Sequence, residues 1–125
     1  MSDLAGLRVL LVEDEGGVAM LLEDMLDILG CEVVASVAHL QQAFEAMESK
    51  SFDIAILDVN VSGEQVFPLA RQLVERGTPI VFSTGYGAAG LPVDLRQHAV
   101  LAKPFAFEEL RRTLAATVPS ADGHR

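Results

Sequence analysis

Ile54-Ala55-Ile56-Leu57-Asp58 is four apolar residues closed by a carboxylate, and the same punctuation recurs twice. Val9-Leu10-Leu11-Val12 ends on Glu13-Asp14-Glu15, and Ala99-Val100-Leu101-Ala102 ends on Lys103. A short continuous apolar run bounded in this way reads as a strand buried on both faces, the pattern of a parallel sheet. All C-terminal strand ends of a parallel sheet share one edge, and ligands bind in the crevice there. Residues far apart in the chain therefore converge: Glu13, Asp14 and Asp58 meet one lysine. A crevice of that composition suits a divalent cation and a phosphoryl group.

Outward from these three runs the chain alternates. After Leu7 to Val12, apolar residues from Val18 recur at helical spacing (Leu21, Leu22, Met25, Ile28, Leu29) until Gly30. Cys31 to Val37 reads as a strand, Leu40, Ala43, Phe44 and Met47 as a helical stripe, and Phe52 to Leu57 as a strand again. Val66 to Val74 marks a third helix stopped by Gly77, and Pro79 to Phe82 a fourth strand. Gly85 to His98 holds three glycines and Pro92, so any helix there is expected to be short or mobile. Ala99 to Ala102 is the fifth strand, and Phe107, Leu110, Leu114 and Val118 line the last helix. The polar tail from Pro119 to Arg125 is expected to fray. Strands alternating with helices predict an α/β fold of flavodoxin-like type, with helices on both faces of a parallel sheet.

A chain of 125 residues, half of them hydrophobic, accommodates one globular domain. Its formal net charge of -9 disfavours neutralising nucleic-acid phosphates or anionic lipid. The apolar runs are shorter than a membrane span and Met1-Ser2-Asp3-Leu4 lacks the pattern of a signal peptide, so the expected location is the cytoplasm. A lone Cys31 at the start of a β-like stretch reads as a packed side chain rather than a redox centre.

Taken together, Glu13-Asp14-Glu15, Asp58, Thr84 and Lys103-Pro104-Phe105 resemble the receiver domain of two-component response regulators. Each motif alone is common; four in order at successive strand ends are specific. The resemblance covers nearly the whole chain and implies a (βα)5 receiver fold over residues 1–125, with strand order 2-1-3-4-5. It implies that Asp58 is the phosphoacceptor, a carboxylate nucleophile forming an acyl phosphate. It implies magnesium held directly by Asp14 and Asp58, through water by Glu13, and by the backbone carbonyl of Asn60. Lys103, joined to Pro104 by a bond that is typically cis in the family, would pair with a phosphate oxygen, and the Thr84 hydroxyl would bond another. The ordinary alternatives are that Asp58 caps a turn and that Glu13 and Glu15 favour a helix N-terminus. For Glu15 that ordinary reading is preferred.

The chain departs from the family at Val100, where the usual switch places an aromatic three residues before the lysine. A valine has no ring to swing between two positions, so that route is in doubt here. Tyr86, the only tyrosine, either stands in for it, shields the acyl phosphate, or is a half-exposed loop ring. Pro79-Ile80-Val81-Phe82-Ser83-Thr84-Gly85-Tyr86-Gly87 resembles stand-alone receivers with a Phe-Ala-Thr-Gly signature, Ser83 replacing the alanine. In that subgroup partner kinases often belong to the HWE class.

The reading is a single-domain response regulator that accepts a phosphoryl group on Asp58 from a sensor histidine kinase or histidine phosphotransfer protein. Its output would be a protein contact or onward transfer. Two alternatives come from other classes: a pseudo-receiver binding module that works without phosphorylation, and a small magnesium-dependent phosphatase. The second normally has an aspartate two residues after its nucleophile, where this chain has Asn60.

Overall fold

The computed structural model describes residues 4–85 and 87–118. The tail expected over 119–125, and Tyr86, lie outside the described residues. The chain order is β1 (Arg8–Val12), α1 (Gly16–Ile28), β2 (Glu32–Val37), α2 (Leu40–Ser49), β3 (Ile54–Asp58), a hairpin of β4 (Asn60–Val61) and β5 (Glu64–Gln65), and α3 (Phe67–Glu75). There follow β6 (Ile80–Thr84), 3-10 turns at Gly87–Gly90 and Val93–Leu95, β7 (Ala99–Ala102) and α4 (Phe107–Thr117).

Five strands form one parallel sheet in the order β2-β1-β3-β6-β7, with the hairpin apart from it. Counting main-sheet strands alone, this is the expected order 2-1-3-4-5. Every residue of β3 and of β6 is buried, as central strands covered on both faces require. Successive side chains point to opposite faces, and so the sheet divides two cores. Leu10, Val12, Ala55, Leu57, Ile80 and Phe82 pack with α2 and α3. Val9, Leu11, Ile54, Ile56, Val81 and Leu101 pack with α1 and α4. Cys31 is buried, its thiol directed at the Leu4 carbonyl oxygen at 3.6 Å and pushed up to about 11 by burial, in keeping with a packing role.

Two glycines end helices as expected. Gly30 (φ +86°) follows α1, and a Cβ there would lie 3.3 Å from the Ala5 Cα. Gly77 (φ +78°) follows α3, with the Thr78 N–H donating back to the Leu73 carbonyl at 3.0 Å. At α4, where Ala106 has no capping side chain, the Glu109 carboxylate accepts the Ala106 N–H at 2.8 Å.

Among the described residues between β6 and β7 no α-helix forms; the two 3-10 turns take its place. Leu91 and Leu95 are nevertheless buried in the α2/α3 core. Arg71 of α3 grips Asp94 through two hydrogen bonds of 2.9 and 3.2 Å. Glycines and Pro92 oppose regular helix here, while two leucines suffice to hold the segment down.

Candidate functional site

Alternation along the strands decides which side chains reach the site. Val9 and Leu11 face the α1/α4 core, as do Ile54 and Ile56, Val81, and Leu101. Two residues further on, the same rows arrive at Glu13, Asp58, Ser83 and Lys103. Backbone pairing continues past the strand ends, since the Glu13 N–H donates to Val37 at 3.0 Å and the Lys103 N–H to Thr84 at 2.9 Å. Four strands thus end in one row of polar residues on one face.

Lys103 crosses that row. Its Nζ lies 3.0 Å from Glu13 Oε1 and 3.4 Å from Asp58 Oδ2. Lys103 follows β7 and Glu13 follows β1, so the lysine passes over β6 and β3 to reach its partner. Both carboxylates are buried. The second Glu13 oxygen, Oε2, accepts the Glu15 N–H at 3.1 Å. Asp14 is more open to solvent and its Oδ2 accepts the Ser62 N–H at 2.9 Å.

Ser62 (φ +50°) and Gly63 (φ +84°) are the central residues of the β4–β5 hairpin, both left-handed as a two-residue turn of this kind requires. The Ser62 hydroxyl donates to the Ala38 carbonyl at 2.9 Å, pinning the hairpin beside the site.

The carboxylates of Glu13, Asp14 and Asp58 bring one oxygen each within 4.8 Å of one another. Burial, then the hydrogen bond and negative charge of Glu13, push the Asp58 carboxyl up to about 7, against the opposing pull of Lys103. Burial alone would lower the Lys103 ammonium, but Glu13 and Asp58 outweigh it and the net direction is upward. A single lysine therefore leaves the cluster short of positive charge. Three hard oxygen donors at this separation, with a surplus of negative charge, fit magnesium, which takes one or two carboxylates and keeps several waters.

The structure brings Glu13, Asp14, Asp58 and Lys103 together. Thr84 is buried at the end of β6 and meets Lys103 through the backbone pair already described. The Lys103–Pro104 bond is cis, as the resemblance implies. Asn60 is exposed in β4, two residues beyond Asp58. Glu15 occupies the N-cap position of α1 without a side-chain capping bond. Ser62 escapes a reading by apolar runs, although the Ser62-Gly63 dipeptide carries the turn signal.

Among known proteins, the response regulator receiver domain profile matches residues 9–115. The sensory transduction protein LytT of Bacillus subtilis (strain 168) is 35% identical over 118 residues, 86% of this chain and 46% of LytT. The chain thus spans less than half of that relative's length. The solution structure of SdrG from Sphingomonas melonis Fr1 aligns with a TM-score of 0.80 at 39% identity, covering 93% of this chain and 98% of SdrG. The receiver domain of the sensor histidine kinase PA1611 from Pseudomonas aeruginosa PAO1, which has a magnesium ion in its active-site cleft, aligns at TM-score 0.78 and 29% identity, over 93% of this chain and all (100%) of that one.

Proposed function

The chain belongs to the response regulator receiver domain family of two-component signalling, and from that premise we propose that Asp58 is its phosphoacceptor. The observation that carries the proposal is the meeting of Asp58 with Glu13, Asp14 and Lys103. Glu13, Asp14 and Asp58 would hold magnesium, joined by the Asn60 carbonyl. Bound there, the ion supplies positive charge for the phosphoryl oxygens.

An Asp58 carboxylate oxygen forms a bond to phosphorus as the P–N bond of a phosphohistidine breaks. The departing imidazole keeps the electron pair and takes up a proton from water. Lys103 neutralises a phosphoryl oxygen as it arrives, once its ammonium is released from Glu13, and the Thr84 hydroxyl bonds another. The donor is a sensor histidine kinase, of the HWE class by resemblance to the stand-alone receivers, or a histidine phosphotransfer protein. The receiver domain works in the cytoplasm, signalling through a partner protein or passing the group on. None of the described helices is long and apolar enough to cross a membrane.

Incubation with magnesium and acetyl phosphate is expected to add one phosphoryl group, seen by mass spectrometry, and Asp58→Asn to abolish it. No adduct on Asp58 in the wild type would refute the reading in favour of a pseudo-receiver. Turnover of free phosphomonoesters would instead support the phosphatase, against which Asn60 stands two residues after the nucleophile.

A further inference from the structure

Ser83 is the one member of the polar row with no assigned task. Its side chain is 1% exposed, and its hydroxyl has no hydrogen-bond partner among the described residues. A buried unpartnered hydroxyl costs on the order of a hydrogen bond to keep, so it calls for an explanation. Its neighbours supply one. Ser83 is the register partner of Asp58 on one side and of Leu101 on the other. Register partners in a parallel sheet point to the same face about 4.8 Å apart. Ser83 therefore stands beside Asp58, on the face and the strand that the Lys103 side chain crosses to reach Glu13.

We propose that Ser83 is a positioning residue for phosphoryl transfer: its hydroxyl accepts a hydrogen bond from the Lys103 ammonium and donates one to the Asp58 carboxylate. A serine hydroxyl is suited to this because it offers one donor and two acceptor sites. In the structure described, Lys103 is engaged with Glu13 and Asp58. When Glu13 turns toward a cation, the ammonium loses one partner, and Ser83 is the uncommitted polar group under its path. The bridge then holds the lysine beside the nucleophile. Alanine at this position would leave the ammonium to find its place unaided.

The inference rests on the phosphoacceptor reading, and the test separates the two. Wild type, Ser83→Ala and Ser83→Thr are phosphorylated by acetyl phosphate with magnesium, and the rate is followed by mass spectrometry. Ser83→Ala is expected to slow phosphorylation at least about tenfold, the scale of a lost charge-assisted hydrogen bond. Ser83→Thr, which keeps the hydroxyl, is expected to recover most of that loss. The second readout is structural: in the beryllofluoride complex the Lys103 ammonium resonance should be sharp in wild type and broadened by Ser83→Ala.

A wild-type rate in Ser83→Ala, or an unchanged lysine resonance, overturns the positioning role while Asp58 phosphorylation stands. Equal slowing of both variants assigns the effect to packing and also overturns it. A wild-type protein that takes no phosphoryl group overturns both readings.

Discussion

The Asp58 carboxyl carries the most informative chemistry at the residue scale. With its proton affinity pushed up to about 7 in the folded state, from an ordinary value near 4, the native protein binds more protons than the unfolded chain between those limits. The sign follows from linkage: the stabilising contribution is present below the unfolded value and is lost as pH rises through the folded one. Thermal unfolding of the metal-free protein is expected to show falling stability from about pH 4 to about pH 8. Asp58→Asn should flatten that slope, and equal slopes would contradict the crowding of charge at the site. Glu13, Asp14, Asp58 and Lys103 were legible in the sequence because each closes or follows an apolar run. Ser83 was not, since a small polar residue inside a strand reads the same whether bonded or unpartnered.

At the scale of elements, two short pieces hold the site and its surroundings. The β4–β5 hairpin offers the Ser62 N–H to Asp14. Ser62→Pro removes that donor and forbids the observed φ of +50°. The expected result is weaker magnesium binding in a titration, with the fold retained by circular dichroism. Between β6 and β7, Leu91 and Leu95 do the anchoring. Leu95→Ala should destabilise by about 2–5 kcal/mol in denaturant unfolding. Asp94→Ala, which breaks the exposed pair with Arg71, should barely move the midpoint. The main strands and α1 to α4 could be read from periodicity and glycine stops. The hairpin is too short to show a period, and the 3-10 turns are held by tertiary contacts that no local pattern announces.

For the whole molecule, the sheet order brings the ends of β1, β3, β6 and β7 side by side, which is why residues 90 positions apart in sequence (Glu13 and Lys103) form an ion pair. That order was legible from the alternation of elements, because right-handed crossovers leave few ways to arrange them. The same sheet separates the two cores. Ile56→Val lies on the α1/α4 side and Leu73→Ala on the α2/α3 side. Their unfolding free-energy losses, about 0.5–1.5 and 2–5 kcal/mol, are expected to add within about 0.5 kcal/mol. A larger departure would mean that strain passes through the sheet. The partition also frees the two flanks from one another. Whatever protein each flank learns to recognise, its surface can drift and be reshaped over generations without the opposite flank having to follow, so new partnerships need not disturb old ones.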